Sequence, residues 1–236
     1  WVEGEGEIIN INPSDTNDFI DTYSNASSKQ LNEAVSAAQK AQKVWEKVGI
    51  EKRANILHDI GNELIKQSKE IGTLLSREEG KTLPEGIGEV IRSGQQFQYY
   101  AASALRQFGE NIASTREGVS VEMTREPVGV CGIISPWNFP IAIAAWKSAP
   151  SMAFGNAVVL KPASQTPASA IALTKIISDQ KDIPDGLFNL VLGGGGTIGQ
   201  QISGHKDINA ISFTGSVGVG QTIYMEAAKS MKKMQL

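Results

Sequence analysis

Apolar residues in the first half of the chain follow a helical spacing. In SSKQLNEAVSAAQKAQKVWEKV they recur every three or four positions, which predicts an amphipathic helix that begins with Ser28 as N-cap and stops by Gly49. Residues 1–20 mix turn formers with short β-branched runs and predict a hairpin or an extended arm. The helical spacing also predicts three further helices, over 52–67, 69–79 and 84 to about 109.

The pattern changes near Gly118. Residues 119–126 alternate and predict an exposed strand of a protruding hairpin, which would pair outside its own domain. After Pro127, continuous apolar runs alternate with helical segments, which is typical of parallel strands covered on both faces. The predicted strands are 128–135, 156–161, 187–192, 209–214 and 232–236, and the predicted helices are 141–154, 166–178, 197–203 and 216–230.

The fold class that follows is α/β. We expect a Rossmann-like parallel sheet with flanking helices over 128–236. An N-terminal arm, a helical layer and the protruding β-hairpin would precede it over 1–127.

Composition narrows the classes of function. The 236 residues are 41% hydrophobic, which is enough for a substantial core. The net charge of -3 gives no support to a nucleic-acid partner, and no apolar run approaches the roughly 18 residues of a membrane span. The single cysteine, Cys131, is typical of a reducing compartment, so we expect a cytoplasmic protein. We predict no metal site.

A glycine run, LVLGGGGTIGQQ at 190–201, is the first candidate for a nucleotide site. Gly194, Gly196 and Gly199 match the dinucleotide pattern G-x-G-x-x-G. That pattern normally follows the first strand of its unit and has an acidic residue about 20 positions later. Here it follows the third strand, and FTGSVGVG at that distance contains no acid. We therefore favour a glycine-rich turn that lets a helix pack closely on the sheet.

Two other strand ends are better candidates. Gly215 and Ser216 end one predicted strand, and Ser216 is the natural N-cap of the next helix, whose free N–H groups could bind an anion. Lys161 ends another strand, where a cation can meet a phosphate or a ribose hydroxyl. Taken singly, Ser216 could be only a helix cap, and Lys161 could be only a solvated surface lysine. Together, at the carboxyl ends of parallel strands, they outline one ligand crevice.

Three motifs carry a family resemblance. ISPWNFP (134–140), VVLKPASQTP (158–167) and FTGSVGVG (213–220) resemble the aldehyde dehydrogenase superfamily in order and spacing, and GKTLPEG (80–86) also fits. The resemblance covers essentially the whole chain and implies NAD(P)-dependent oxidation of an aldehyde to an acid. It implies that the chain is the N-terminal, cofactor-binding half, with 1–127 and 128–236 as parts of one domain. It also implies a full-length homo-oligomer, a dimer or a tetramer.

The resemblance implies roles for individual residues. The phosphates would lie at Gly215 and Ser216, and the ribose at Lys161. Asn138 would be catalytic, its amide donating to the oxyanion, although on its own it could merely shape a Pro-bounded turn. The implied cofactor-binding residues are Ser135, Pro136, Trp137, Asn138, Lys161, Ala163, Ser164, Gly195, Gly199, Phe213, Thr214, Gly215 and Ser216.

Cofactor preference and substrate follow from the same resemblance. Ser164 stands where NAD-preferring members often carry a glutamate that would repel a 2′-phosphate, so we expect NADP to be preferred and NAD to be possible. GKTLPEGIGEVIRSGQQF and PIAIAAWK resemble dehydrogenases of 2-oxoglutarate semialdehyde. Arg92 would then face a substrate carboxylate, the alternatives being a solvated arginine or a structural ion pair. The implied substrate tunnel contains Arg92, Phe139, Ile143 and Trp146.

The sequence departs from the family in two respects. The general base belongs to a Glu-Leu-Gly-Gly segment expected just after Leu236, and the nucleophilic cysteine lies further on; neither is in this sequence. Cys131 lies in a predicted buried strand, and we interpret it as an inert core residue. We therefore expect no turnover by this chain alone. The alternatives are a stand-alone nucleotide-binding or structural module, and a reductase of the same fold, against which the complete ISPWNFP and KPASQTP motifs argue.

Overall fold

A computed structural model describes residues 1–106 and 109–236. The strands are β1 (Glu5–Ile11), β2 (Phe19–Asn25), β3 (Glu110–Ala113), β4 (Ser120–Met123), β5 (Val130–Ile134), β6 (Ala157–Lys161), β7 (Phe188–Leu190), β8 (Ala210–Phe213) and β9 (Lys233–Gln235). The helices are α1 (Ser28–Trp45), α2 (Ile50–Lys66), α3 (Ser68–Glu79), α4 (Leu83–Ala104), α5 (Ala142–Ala153), α6 (Pro167–Ser178), α7 (Gln200–Gly204) and α8 (Val217–Ala228).

The N-terminal hairpin is confirmed, since β1 and β2 pair antiparallel. Ser28 as N-cap is wrong by one residue. The Ser27 hydroxyl accepts a hydrogen bond from the Gln30 N–H at 3.2 Å, and the Gln30 side chain accepts from the Ser27 N–H at 2.8 Å, which makes a capping box. Helix α1 ends at Trp45, before Gly49, because a turn intervenes.

The helical layer packs on the sheet through one shared hydrophobic core. Trp45 is fully buried, and its indole N–H donates to the Met152 carbonyl of α5 at 2.7 Å. Helices α2 and α4 cross closely because Gly61 and Gly94 face each other. A Cβ on either glycine would lie 2.6 Å from the carbonyl oxygen of the other, so larger residues would force the helices apart.

The five-stranded sheet confirms the Rossmann-like α/β prediction. Its order is β7-β6-β5-β8-β9, and every pairing is parallel. Strand β5, the first of this sheet in chain order, lies at its centre. Strands β6 and β7 lie on one side of β5, and β8 and β9 lie on the other, so the switch point is next to β5. Ile134 of β5 is in register with both Lys161 of β6 and Phe213 of β8. Parallel sheets of this kind bind ligands beyond the carboxyl ends of the strands at such a switch point.

The protruding hairpin consists of β3 and β4, which pair antiparallel and are exposed throughout. The strand predicted at 119–126 is present over Ser120–Met123 only, and it pairs with β3 of the same hairpin, not outside its own domain as predicted. The helix predicted to run to about 109 ends at Ala104; positions 107 and 108 of that prediction lie outside the described residues. No helix in the described ranges is long and apolar enough to cross a membrane.

Candidate functional site

The carboxyl ends of β5, β6 and β8 meet at one edge of the sheet, at the switch point, and we call this edge the crevice. The Ser135 N–H donates to the Lys161 carbonyl at 3.1 Å, and the Thr214 N–H donates to the Ile134 carbonyl at 3.1 Å. Because these bonds continue the sheet ladder, Ser135, Lys161 and Thr214 lie side by side at one edge. The Ser135 hydroxyl is buried and has no hydrogen-bond partner among the described residues. The structure thus brings together the strand ends that the sequence singled out.

Helix α8 begins at this crevice with an open N-terminus. Ser216 occupies the N-cap position, as predicted, but its side chain makes no capping hydrogen bond within the described part of the chain. Thr214, Gly215 and Ser216 are all exposed. A Cβ on Gly215 would lie 2.5 Å from Cζ of the buried Phe213 ring, so the turn over this ring requires glycine. The first N–H groups of α8 are therefore available to an anion.

Two other helices begin at the same edge, and buried carboxylates of the helical layer fill their N-termini. Glu89 of α4 accepts from the N–H groups of Ile141 and Ala142, both at 3.0 Å, where α5 begins. Glu78 of α3 performs the same function at the start of α6. Its oxygens accept from the N–H groups of Ala168 at 2.6 Å and Ser169 at 2.8 Å, and burial raises the pKa of Glu78. Of these three helices, α8 is the one whose positive end is not filled by any carboxylate of the described residues.

Lys161 is the last residue of β6 and lies at the same edge of the sheet. It is buried, with 4% of its surface exposed, so the alternative of a solvated lysine is wrong. Its ammonium donates to the Pro162 carbonyl at 2.5 Å, and burial lowers the pKa of Lys161 to about 8. A Cβ on Gly199 would lie 3.5 Å from Cδ and Cε of this lysine, which places the glycine run directly beside it.

The glycine run forms a π-helical turn over Gly195–Gly199, which α7 continues, instead of the predicted helix over 197–203. The Gly199 N–H donates to the Gly194 carbonyl at 3.1 Å, five residues back. A Cβ on Gly195 would meet no heavy atom within 4 Å. The Ser164 hydroxyl donates to the Gly193 carbonyl at 3.3 Å, so the loop after β6, which includes Ala163, lies against the run.

A second feature is a cleft of about 730 Å³ between α4 and α5. Its wall contains all four residues predicted for a substrate tunnel, and the aromatic rings of Trp137, Phe139 and Trp146 are about half exposed there. Large exposed aromatic side chains that share one cleft are typical of a binding surface. The full lining is Glu79, Lys81, Glu85, Gly88, Glu89, Arg92, Trp137, Asn138, Phe139, Ala142, Ile143 and Trp146.

Asn138 lies on the loop that joins the crevice to the cleft. Ser135 begins this loop in the crevice, Pro136 follows half-buried, and Trp137 already lines the cleft. The backbone carbonyl of Asn138 accepts from the Lys81 ammonium at 3.1 Å. Its side chain is exposed, and the amide has no hydrogen-bond partner among the residues that the structure describes. The amide is therefore free to donate to a ligand at the junction of the two cavities.

A buried ion cluster under the cleft was not predicted from the sequence. The Lys81 ammonium lies 2.6 Å from a Glu89 oxygen and 2.7 Å from a Glu79 oxygen, and each of these side chains is at most 11% exposed. The two carboxylates therefore neutralise Lys81. Arg92, in contrast, is exposed, and within the described ranges it donates only to the neutral Gln95 side chain, at 3.3 Å. Arg92 is thus the cation of the cleft that remains available to an anionic ligand.

Two further buried groups lie near the crevice. Lys147 of α5 donates to the Ser212 hydroxyl at 2.7 Å and to the Phe213 carbonyl at 3.2 Å, and burial lowers its pKa to about 8. Cys131 of β5 is buried, and burial raises the pKa of its thiol to about 11, in agreement with an inert core cysteine. Within the described ranges, no group of three or more His, Cys, Asp or Glu residues is arranged to hold a metal ion.

Comparison with known proteins gives consistent matches. A profile described as the aldehyde dehydrogenase family matches residues 1–236. An alpha-ketoglutaric semialdehyde dehydrogenase of Bacillus subtilis is 39% identical over 240 residues, which is 100% of this chain and 49% of that protein. An alpha-ketoglutarate semialdehyde dehydrogenase of Haloferax volcanii is 36% identical, also over 100% of this chain and 49% of its own length. This chain therefore spans about half the length of these relatives.

Solved structures give the same result. The crystal structure of an aldehyde dehydrogenase from Brucella melitensis biovar abortus superimposes with a TM-score of 0.96 at 31% identity, covering 99% of this chain and 48% of that chain. A betaine aldehyde dehydrogenase from Staphylococcus aureus in complex with NAD+ superimposes with a TM-score of 0.95 at 31% identity, covering 99% of this chain and 47% of that chain.

Proposed function

The chain belongs to the aldehyde dehydrogenase family, and on that premise we propose that it forms the cofactor-binding part of an enzyme that oxidises an aldehyde to a carboxylic acid. The observation that carries the proposal is the open N-terminus of α8 at the switch point between β5 and β8. Glu78 and Glu89 already occupy the N-termini of α6 and α5, so the N-terminus of α8 is the one available to an anionic cofactor.

The residues of the crevice fit a nicotinamide dinucleotide. In our proposal its pyrophosphate meets Gly215, Ser216 and the first N–H groups of α8, and Lys161 donates to the adenosine ribose. The unpartnered Ser135 hydroxyl and the uncapped N–H groups at the start of α8 are what a bound polar group would use. When bound, the nicotinamide supplies a hydride acceptor. The Staphylococcus aureus relative is described in complex with NAD+, which supports this class of cofactor.

We propose NADP as the preferred cofactor. Ser164 donates to the Gly193 carbonyl and therefore lies against the glycine run, whose Gly199 adjoins Lys161 and the place proposed for the ribose. It is neutral, and it presents no carboxylate that would repel a 2′-phosphate. Gly195 and Gly199 then border the adenine end, while Pro136 and Trp137 line the crevice towards the nicotinamide.

Asn138 is the proposed catalytic residue of this chain. Its free amide donates to the oxyanion that forms when a thiolate adds to the aldehyde carbon. A donor that is already in place is strongest where negative charge develops, so it stabilises the transition state more than the neutral aldehyde. Cys131 does not supply the thiolate, because it is buried in β5 and its pKa is about 11.

The proposed substrate is a semialdehyde that carries a second, ionised carboxyl group. Phe139, Ile143 and Trp146 provide an apolar wall for its carbon chain, and the Arg92 guanidinium receives the carboxylate. Lys81 cannot perform this role, since Glu79 and Glu89 neutralise it. The semialdehyde dehydrogenases of Bacillus subtilis and Haloferax volcanii support this class of substrate.

We further propose that the full-length enzyme is a cytoplasmic homo-oligomer, a dimer or a tetramer. Hairpin β3–β4 exposes between 40% and 51% of Ile112, Val121 and Met123, and a neighbouring subunit would cover these apolar side chains. The mildly negative net charge gives no reason to propose a nucleic-acid partner.

Replacing Asn138 tests the enzymatic function. In the full-length enzyme, Asn138→Ala should lower kcat by about 10²- to 10³-fold, as for other oxyanion donors, and should change the cofactor Kd much less. Asn62→Ala, an exposed asparagine on α2 outside both cavities, is the matched control. A stand-alone nucleotide-binding module would bind the cofactor equally well and show no aldehyde oxidation for Asn138→Ala to affect. Unchanged kcat in an active enzyme would remove Asn138 from catalysis.

A further inference from the structure

Lys81 is held at the floor of the cleft by the connection between α3 and α4. Helix α3 ends at Glu79, and Gly80 turns the chain with a left-handed backbone, φ +88°. Helix α4 then begins at Leu83. This tight turn directs the Lys81 side chain between Glu79 and Glu89, under the ISPWNFP loop.

The ammonium of Lys81 donates to a Glu89 oxygen at 2.6 Å and to the backbone carbonyl of Asn138 at 3.1 Å. It also lies 2.7 Å from a Glu79 oxygen as an ion pair. The same ammonium lies 4.3 Å from the centre of the Phe139 ring, which is a cation–π contact. Lys81 therefore fixes two consecutive residues of the loop, one by its backbone and the other by its ring.

Glu89 holds the other side of the same loop. Its second carboxylate oxygen accepts from the N–H groups of Ile141 and Ala142. Lys81 and Glu89, joined at 2.6 Å, thus clamp the loop before and after Pro140. A buried cluster of two carboxylates and one ammonium contributes little net stability, because desolvation of the charges offsets their attraction. Its main effect is therefore to position the loop.

We propose that Lys81 is a positioning residue for the reaction, which holds the backbone at Asn138 so that the free side-chain amide points to the aldehyde oxygen. This inference rests on the proposed role of Asn138. Lys81 does not touch substrate or cofactor in this scheme. Its effect passes through Asn138, because an amide that rotates away from the developing oxyanion loses most of its stabilising effect.

The test is a double-mutant cycle in the full-length enzyme. Lys81→Met keeps the length of the side chain and removes the charge. It should lower kcat by about 10- to 100-fold, with KM for the aldehyde and Kd for the cofactor changed less than about twofold. In the Asn138→Ala background the same substitution should change kcat by less than about twofold, because the amide that Lys81 positions is gone. Lys66→Met, which breaks an exposed ion pair with Glu63, is the matched control.

Each outcome of the cycle supports or overturns the positioning role of Lys81. Equal losses of kcat in both backgrounds would overturn the role of Lys81 while leaving that of Asn138 intact. Normal kcat in Asn138→Ala alone would overturn the proposed role of Asn138, and with it this inference, while aldehyde oxidation itself would stand. If Lys81→Met does not fold, Glu89→Gln serves instead. It keeps an oxygen for Ile141 and Ala142 but loses the charge that holds Lys81, and the same cycle with Asn138→Ala must show the same non-additivity.

Discussion

The buried charge of Lys161 should lower the free energy of unfolding of the chain when no cofactor is bound. Its pKa falls from the ordinary 10.5 to about 8 because burial disfavours the charged form. At 1.36 kcal/mol for each pH unit, this difference corresponds to about 3 kcal/mol at pH 7. Lys161→Met removes that cost and also removes the hydrogen bond to Pro162, which contributes about 1 kcal/mol. We therefore expect the variant to raise the free energy of unfolding by about 2 kcal/mol at pH 7.

The sign of the pH dependence follows from proton binding. Between pH 8 and 10.5 the unfolded chain carries the proton on Lys161 and the folded chain has lost it, so the wild-type chain gains stability as pH rises through this window. The gain in free energy of unfolding from Lys161→Met should therefore be largest below pH 8 and disappear by about pH 10.5.

Urea unfolding of the cofactor-free chain at pH 7 and pH 10 measures both effects. The exposed Lys29→Met is the control and should be neutral at both values. Calorimetry should show weaker NADP binding by Lys161→Met, which separates stability from function. A variant that is less stable than wild type at pH 7, or equally more stable at both pH values, would refute the reasoning.

Two further substitutions test specificity. Ser164→Glu should weaken NADP binding by about tenfold or more and NAD binding much less, because its carboxylate would repel the 2′-phosphate. The neutral Ser164→Gln is the control and should affect the binding of both cofactors equally. If calorimetry shows that Ser164→Glu weakens both cofactors equally, the placement of the 2′-phosphate is contradicted. Arg92→Ala should raise KM about tenfold for semialdehydes that carry a carboxylate and leave KM for neutral aldehydes of the same length unchanged. Arg106→Ala, outside the cleft, is the control for the second substitution, and equal effects on both classes of aldehyde would remove Arg92 from the site.

The order of helices and strands could be predicted because each has a strong local pattern. Helix α3 ends at Glu79 as expected, since Gly80 supplies the left-handed residue that terminates it. The three motifs at 134–140, 158–167 and 213–220 pointed to one crevice, and the register around Ile134 brings them to one edge of the sheet. The strand order itself is set by long-range pairing, which no local pattern contains.

The buried carboxylates were missed because a glutamate on an amphipathic helix usually faces solvent. The signal was nevertheless present in their spacing. Glu78 lies seven residues beyond Ile71 and three beyond Leu75, on the same buried stripe, and Glu89 lies on the buried face that contains Phe97. What the sequence could not show is the partner, since the helix N-termini that these carboxylates fill lie 52 to 91 residues away. The π-helical turn at Gly195–Gly199 was missed because four consecutive glycines specify no single backbone geometry.

The position of the cofactor pyrophosphate is the most direct test of the central claim. The measurement is a crystal structure of the protein with bound NADP. We predict that the pyrophosphate oxygens lie within hydrogen-bonding distance of the first N–H groups of α8, at Gly215 and Ser216, with the adenine end towards Gly195 and Gly199. A pyrophosphate bound instead by the π-helical turn over Gly195–Gly199, with α8 free of contacts to the phosphates, would contradict the account.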